Sequence, residues 1–468
     1  MNRAFLFAFV PLFHTHHSLV FTIASQRVSC ANPDANLQLP ATFAVCTVLV
    51  PDFRMVSMGV DHHTVPAIVL GRGPTALGIL RCLQLAGIPA YVACPPGDHV
   101  TRSRWFRPTP GPTPWDGAIG PHAYDILRNM PLAEAVLIPG ADDVALWLAD
   151  LPHSELGGRF KVSTSSRLSQ EILQDKSRFA AFLKSTDIPH PPTFRIDSIA
   201  DIDAIPFDTL DRVFIKPVNS QKFSDVTGVK GIWVKRKEDI YEAWHKLHEQ
   251  GFMLMAQEYV PGSAADHYFV DGFRDASGRL TGLFTRQRIR ISPPDFGNSS
   301  YCRSIPIENL QAPVDSMTTL LSRLDYRGIF SAEFKRDARD GKFRILEVNT
   351  RAWTYVEFAA RCGVNVCEMA YQDALGLPVA VASKKYVVDA GCVDLHRDIS
   401  TVWTQDAATR GPLPRILLQW VRAHFHSFRF DDPSPGLSVA RRVVAQRLKR
   451  YFGTWPILSA RMHRFIAK

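Results

Sequence analysis

The sequence lacks several things that would have placed it quickly. Its eight cysteines form no CxxC pair and no Cys/His cluster at zinc-ligand spacing. That excludes a structural zinc site and favours reduced, structural thiols such as Cys362 and Cys367. No apolar run reaches the roughly 18 to 20 residues of a membrane span. The opening "MNRAFLFAFVPLFHTHHSLVFTIASQ" holds two short runs, and no small-residue cleavage site follows the first. The phosphate-loop sequence GxxxxGK[ST] is missing. A surplus of one charge is missing from the main body too. Residues 401–468 carry twelve Lys/Arg against three Asp, an excess equal to the +9 of the whole chain. The balanced remainder argues against a nucleic-acid-binding surface there. With 468 residues, 46% hydrophobic and 21% charged, the chain is long and apolar enough for two or three cored domains.

Residues 1–60 show little periodicity, and Met55 and Met58 stand just before the first clear strand. The expectation is an N-terminal extension outside the functional chain, with residues 1–57 dispensable. From Pro66, "AIVLGRGPTALGILRCLQLAGIPAYVACPPG" reads as strand, glycine turn, helix and strand, a βαβ unit. A dinucleotide site would place an acid at the end of the second strand, and Ala93, Cys94 and Pro95 stand there. The reading is therefore a Rossmann-like domain without NAD, over residues 61–165. "AVLIPGADDVALWLADL" adds another strand and helix; Asp142 and Asp143 either serve the helix N-terminus or face a ligand. "QDKSRFAAFLKSTDIPHPPTF" opens a second domain, taken over 166–385, and 386–468 reads as a basic helical tail.

Within the second domain, Lys176 stands at a helix start, where a lysine is often only solvated. Lys216, in "RVFIKPVNS", ends an apolar strand, and charged groups there usually meet a ligand or a partner charge. "VNSQKFSDVTGVKGIWVK" is a polar, glycine-containing loop with Lys222 and Lys230, and "QEYVPGSAAD" runs from a strand into a turn bearing Asp266. "RGIFSAEFKRDARDGKFRILEVNTR" reads as two strands joined by an Asp-Gly turn. If the turn centres near Asp340, Glu333 faces Glu347 at about 5 Å. Two carboxylates so placed repel by roughly 3 kcal/mol at an effective dielectric near 20. A hard divalent cation reverses that sign, and Asn349, on the same strand face as Glu347, adds an amide oxygen. Arg351 continues the alternation. Phe330, Phe334, Ile345, Leu346 and Val348 predict a hairpin that is not fully exposed. Arg286, Arg288 and Arg290 share one strand face, either as a clamp for a substrate carboxylate or phosphate or as a solvated row.

The ordered set "DK…F", "FIKP", "GVKG", "QEYVPG", "AEFK" and "LEVNTR", between residues 175 and 351, resembles the ATP-grasp enzymes, and the resemblance covers residues from about 66 to 378. The likeness is greatest to their carboxylate-amine ligase branch, which includes D-aspartate ligase, and more distant to biotin carboxylase and carbamoyl phosphate synthetase. The resemblance implies an α/β and α+β chain, a Rossmann-like pre-ATP-grasp domain followed by a two-subdomain ATP-grasp domain. It implies that Lys176 and Lys216 hold ATP phosphates, that Gly228, Lys230 and Gly231 belong to a phosphate-covering loop, and that Glu258 to Val260 form the adenine hinge. Asp266 would take the ribose; Glu333, Glu347 and Asn349 would take Mg²⁺, with Mn²⁺ as an alternative. Arg351 would be the reaction-centre arginine of an ADP-forming ligase that joins a carboxylate to an amine through an acyl phosphate. Bicarbonate activation and a non-catalytic nucleotide-binding regulator are the alternatives. The expected partners are small carboxylates and amines, with a homodimer left open and no nucleic acid. The expected location is cytoplasmic. In the tail, Ala440, Val444, Leu448 and Tyr451 form a helical stripe beside Arg442, Lys449 and Arg450. That suggests either a helix packed on the ATP-grasp domain or a peripheral anchor on anionic membrane.

Overall fold

The computed structural model describes residues 64–217, 231–293, 297–382, 385–405 and 410–452. The N-terminal extension, Lys222, Gly228, Lys230 and residues 453–468 lie outside them.

The first domain is built as the βαβ pattern predicts. Strands β1 (Ala67–Leu70), β2 (Ala90–Ala93), β3 (Ala135–Pro139) and β4 (Phe160–Val162) pair in parallel in the order β2-β1-β3-β4. Every residue of β1 and β3 is buried, as expected of a parallel sheet covered on both faces. Helices α1 (Gly73–Leu85), α2 (Pro121–Asn129) and α3 (Asp142–Ala149) follow the first three strands. The turns after β1 and β3 touch: a Cβ on Gly71 would lie 3.0 Å from the Gly140 Cα, so glycine is required at this approach. The N-terminus of α1 offers no open anion site. Gly73 N–H donates to both oxygens of Asp98, at 3.1 and 3.0 Å, so a carboxylate of the chain itself stands where a pyrophosphate would sit. Helices α4 (Arg167–Gln174) and α5 (Lys176–Lys184) lead into the second domain.

That domain holds two sheets. The smaller is antiparallel, in the order β5-β8-β6-β7: β5 (Thr193–Ile196), β6 (Val213–Pro217), β7 (Ile232–Val234) and β8 (Leu254–Glu258). Its own core includes Ile196, Ile215, Ile240 and Leu254. The larger sheet contains β9 (His267–Arg274), β10 (Leu280–Ser292), β11 (Asn298–Ser304), β12 (Gly328–Arg336), β13 (Phe343–Asn349), β14 (Gly391–Val393) and β15 (His424–Phe425). Their order is β13-β12-β9-β10-β11-β14-β15. Phe330, Phe334, Ile345 and Val348 are buried, so the β12–β13 hairpin packs against the core as its apolar flanks predicted.

The large sheet does not stop at residue 385. β14 pairs with β11 and β15 with β14, covering an edge that would otherwise be open. The segment after β15 also docks on the first domain. Arg81 of α1, fully buried, donates to Asp432 Oδ2 through Nε (3.1 Å) and Nη2 (3.0 Å) and to Glu357 Oε2 at 3.1 Å. Asp432 also accepts from Ser103 Oγ and the Arg104 N–H. The helix Pro433–Phe452 then packs on the short turn His99–Arg102 of the first domain. Ala440 and Val444 of the expected stripe are exposed, as are Arg441 and Arg442. Cys82, Cys94, Cys302, Cys362, Cys367 and Cys392 are all buried and free.

Candidate active site

The register of the β12–β13 hairpin sets the site. Glu333 pairs with Glu347 and Ser331 with Asn349, with a bulge just after Glu333. The turn at Asp340 predicts this pairing. Burial raises the pKa of Glu333, but Arg288 and His267 overcome it and hold the carboxyl well below the usual range. The three side chains form one cluster. Glu333 Oε1 lies 2.6 Å from His267 Nδ1 and 3.2 Å from Arg288 Nη1, and the last two are 2.9 Å apart. Burial, and then Arg288, lower the pKa of His267 against the pull of Glu333. Glu347 is exposed and makes no hydrogen bond or ion pair among the described residues. Among those residues no group of three or more His, Cys, Asp and Glu side chains is set to hold a metal, so the oxygen set rests on two carboxylates and the Asn349 amide.

Lys216, at the end of β6, donates from Nζ to Gln257 Oε1 at 2.6 Å. Burial first, and then the charge of Lys176, lower its pKa to about 7, while Glu347 and Glu333 act in the opposite direction. The four charges thus act on one another, although they come from α5, β6 and the hairpin. Asp175 caps α5, accepting from the Ser177 and Arg178 N–H groups, and so fixes where Lys176 starts the helix.

The hinge segment leaves β8 at Glu258. Its carboxylate is held by Arg339 at 2.9 and 3.1 Å and by the Asp211 N–H, and the Arg339 bonds lower its pKa despite burial. The side chain is therefore held within the fold, and the Glu258 N–H donates to the Pro192 carbonyl at 3.0 Å. Tyr259 N–H donates to the Arg212 carbonyl at 2.6 Å, and Val260 is buried. Asp266 is engaged within the fold: Oδ2 accepts from Ser263 N–H and Oγ, both at 2.8 Å, and Oδ1 from Arg336 at 2.8 Å. Its place in the Ser263 cap of a short turn explains this. Gly231, buried, is the described end of the covering loop.

The arginine row is neither solvated nor a clamp. Arg286 pairs with Asp271 at 2.7 Å, both nearly inaccessible, and lies over the Phe269 ring. Arg290 pairs with Asp398 at 2.7 Å, behind the Tyr301 ring. Arg288 reaches the site through Glu333, on which the charge of Arg286 also acts. A bulge after Arg288 breaks the alternation of β10: Arg288 pairs with Cys302 and Arg290 with its neighbour Tyr301, so Arg290 leaves the face that Arg286 and Arg288 share. His267 and Asp142 were the functional neighbours hardest to foresee. Asp142, one of the helix-start acids of the first domain, accepts from Arg351 Nη2 at 2.9 Å.

No family model matches the chain. It is 20% identical over 213 residues to D-aspartate ligase of Enterococcus faecium, a match that takes in 43% of this chain and 50% of that protein. The chain thus spans half the length of the curated relative it matches. Among solved structures it superposes on the biotin carboxylase domain of 2-oxoglutarate carboxylase from Hydrogenobacter thermophilus, in complex with MgADP, ADP and bicarbonate (TM-score 0.54, 15% identity, 70% of this chain and 73% of that one). It also superposes on carboxyaminoimidazole ribonucleotide synthase from Aspergillus clavatus complexed with ATP (TM-score 0.54, 12% identity, 70% and 80%). At such identities the likeness speaks for the fold, and the fold is that of the ATP-grasp enzymes: a Rossmann-like domain followed by a two-sheet ATP-grasp domain.

Proposed function

We propose that this protein is an ATP- and Mg²⁺-dependent, ADP-forming ligase that joins a carboxylate to an amine through an acyl phosphate. The observation that carries the reading is the pairing of Glu333 with Glu347 across the hairpin, with Asn349 and Arg351 following at alternate positions. Two opposed carboxylates and an amide oxygen suit a hard divalent ion, Mg²⁺ or Mn²⁺. When bound, such an ion supplies charge neutralisation to phosphate oxygens. The remaining roles fall to side chains of the chain. Lys176 and Lys216 bind phosphate oxygens, and Gln257 orients the Lys216 ammonium. Arg288 and His267 keep Glu333 ionised. The backbone from Glu258 to Val260 reads the adenine edge.

A carboxylate does not react with an amine at neutral pH because its oxide is a poor leaving group. Attack of a carboxylate oxygen on the γ-phosphorus breaks the bond to the β-phosphate oxygen, and ADP leaves. The amine lone pair then attacks the acyl carbon, phosphate departs with the C–O electron pair, and the nitrogen loses a proton. Arg351 is placed to stabilise the oxyanion of that second step.

The test is ADP release with MgATP across amino acids and other small carboxylates and amines, with bicarbonate as a separate arm. Release that needs both a carboxylate and an amine, with a product equal in mass to their sum less water, is expected. Release with bicarbonate alone would make the chain a bicarbonate-activating enzyme, and ATP binding without release in any arm would make it a regulator.

A further inference from the structure

Arg351 stands just past β13, yet its anionic partner among the described residues comes from the first domain. Nη2 donates to Asn349 Oδ1 at 3.1 Å and to Asp142 Oδ2 at 2.9 Å, and Nη1 donates to the Ala352 carbonyl at 2.9 Å. Asp142 is the first residue of α3, 209 positions earlier. A second tie runs alongside. The Gln174 amide donates to the Asp142 carbonyl at 2.9 Å and to Thr350 Oγ1, beside Arg351, at 2.8 Å. The start of α3 is therefore locked to the end of β13 by both backbone and side chain.

Two atoms of the pair are left over. Arg351 Nε and Asp142 Oδ1 are buried and have no hydrogen-bond partner among the described residues. The pair is bound through one nitrogen and one oxygen rather than as a fork. Buried polar atoms of this kind are otherwise satisfied, so the contact between the two side chains rests on a single hydrogen bond. The three present anchors are not equal. The Ala352 carbonyl is neutral. The Asn349 amide oxygen belongs to the set that suits a divalent ion, and a cation there weakens its bond to a neighbouring guanidinium. The charge-assisted bond to Asp142 does not share that conflict.

We propose that Asp142 is a positioning residue for the ligase reaction: it holds Arg351 from the Rossmann-like domain, so that the reaction centre is complete only where the two domains meet. The proposal rests on the function given above.

Asp142→Asn keeps the shape and removes the charge, and Asp142→Ala removes both. With a carboxylate and amine that support ADP release by the unaltered protein, each is expected to lower kcat by about tenfold or more while leaving KM for ATP within about threefold. The decisive arm is the Arg351→Ala background. There Asp142→Ala is expected to cost less than about twofold, because the side chain it holds is gone. Equal losses in both backgrounds would overturn the assignment, as would an unchanged kcat with a raised KM for ATP. If Asp142→Ala does not fold, Asp142→Asn completes the same cycle. An unaltered protein that releases no ADP with any pair overturns the proposed function and this inference together. Turnover with additive variants overturns the positioning role alone.

Discussion

Glu333 and Glu347 face one another across β12 and β13, one half-buried and ionised through Arg288 and His267, the other exposed and without a partner among the described residues. Glu347→Gln removes a charge from this pair and touches no hydrogen bond of the fold. Turnover in the ADP-release assay is expected to fall by about 100-fold or more. The thermal midpoint of the metal-free protein should hold or rise slightly, since relief of the repulsion is worth no more than about 1 kcal/mol at an exposed carboxylate. Unchanged ADP release would remove Glu347 from the reaction.

Arg351→Ala separates chemistry from binding. Loss of an oxyanion donor is expected to lower kcat by about 100-fold or more and leave the affinity for ATP within a few-fold. Calorimetry with a non-hydrolysable ATP analogue gives the second number. A collapse of nucleotide affinity would place Arg351 in the ATP site instead.

Lys216 should leave a mark on stability against pH. Burial and Lys176 bring its pKa to about 7, so the folded protein binds this proton less strongly than the unfolded chain does. Between about 7 and the ordinary lysine value the unfolded state holds more protons, and stability rises with pH across that window. Lys216→Met removes the contribution. In EDTA the variant is expected to be more stable than the unaltered protein at pH 6.5, with the advantage shrinking toward pH 10. A urea-midpoint difference that stays flat with pH would show that Lys216 titrates normally.

The sequence disclosed what local geometry fixes. An Asp-Gly turn sets the hairpin register, so the Glu333–Glu347 pairing was readable, and the apolar flanks told that the hairpin is not free in solvent. The Rossmann-like domain was readable from a buried strand and a glycine turn. Distant partners were not. Arg290 gave no sign of Asp398, 108 residues away, nor Arg351 of Asp142. A strand period put Arg286, Arg288 and Arg290 on one face, but it does not tell where a bulge will break the alternation, as it does between Arg288 and Arg290, nor whether acids wait opposite. The cap that Asp266 makes with the serine three residues earlier was equally unread.

Arg290 and Asp398 are accordingly expected to behave as a structural pair. Asp398 is fully buried and also accepts from Ser300 Oγ and Trp420 Nε1, both at 2.7 Å. Removing one member leaves the other charge buried, so Arg290→Ala should lower stability by about 3 kcal/mol in urea unfolding. KM for the carboxylate and the amine should not change in protein that remains folded. A raised KM at full stability would restore a substrate role.

The basic C-terminal region offers a separate measurement. The helix Pro433–Phe452 exposes Leu437 and Val444 along with Arg441 and Arg442. An anchor on anionic membrane would sediment the protein with anionic but not neutral vesicles at low salt, weakening as salt is raised, whereas a helix that only packs on the fold would leave it in the supernatant with both. Deleting residues 436–468 should abolish it without lowering ADP release. Equal recovery of both proteins in the supernatant at low salt would rule out an anchor.

The clamp of Arg81 by Asp432 has a consequence in time. The two residues are 351 positions apart, and at roughly 5–20 residues per second a ribosome delivers the second about 20–70 s after the first. Until then α1 carries a guanidinium whose native position is fully buried and whose principal counter-charge has not been made. Glu357, made 75 residues earlier, supplies the other counter-charge, so the buried surface of α1 is neutralised in two steps as the chain grows, and its second half waits for Asp432.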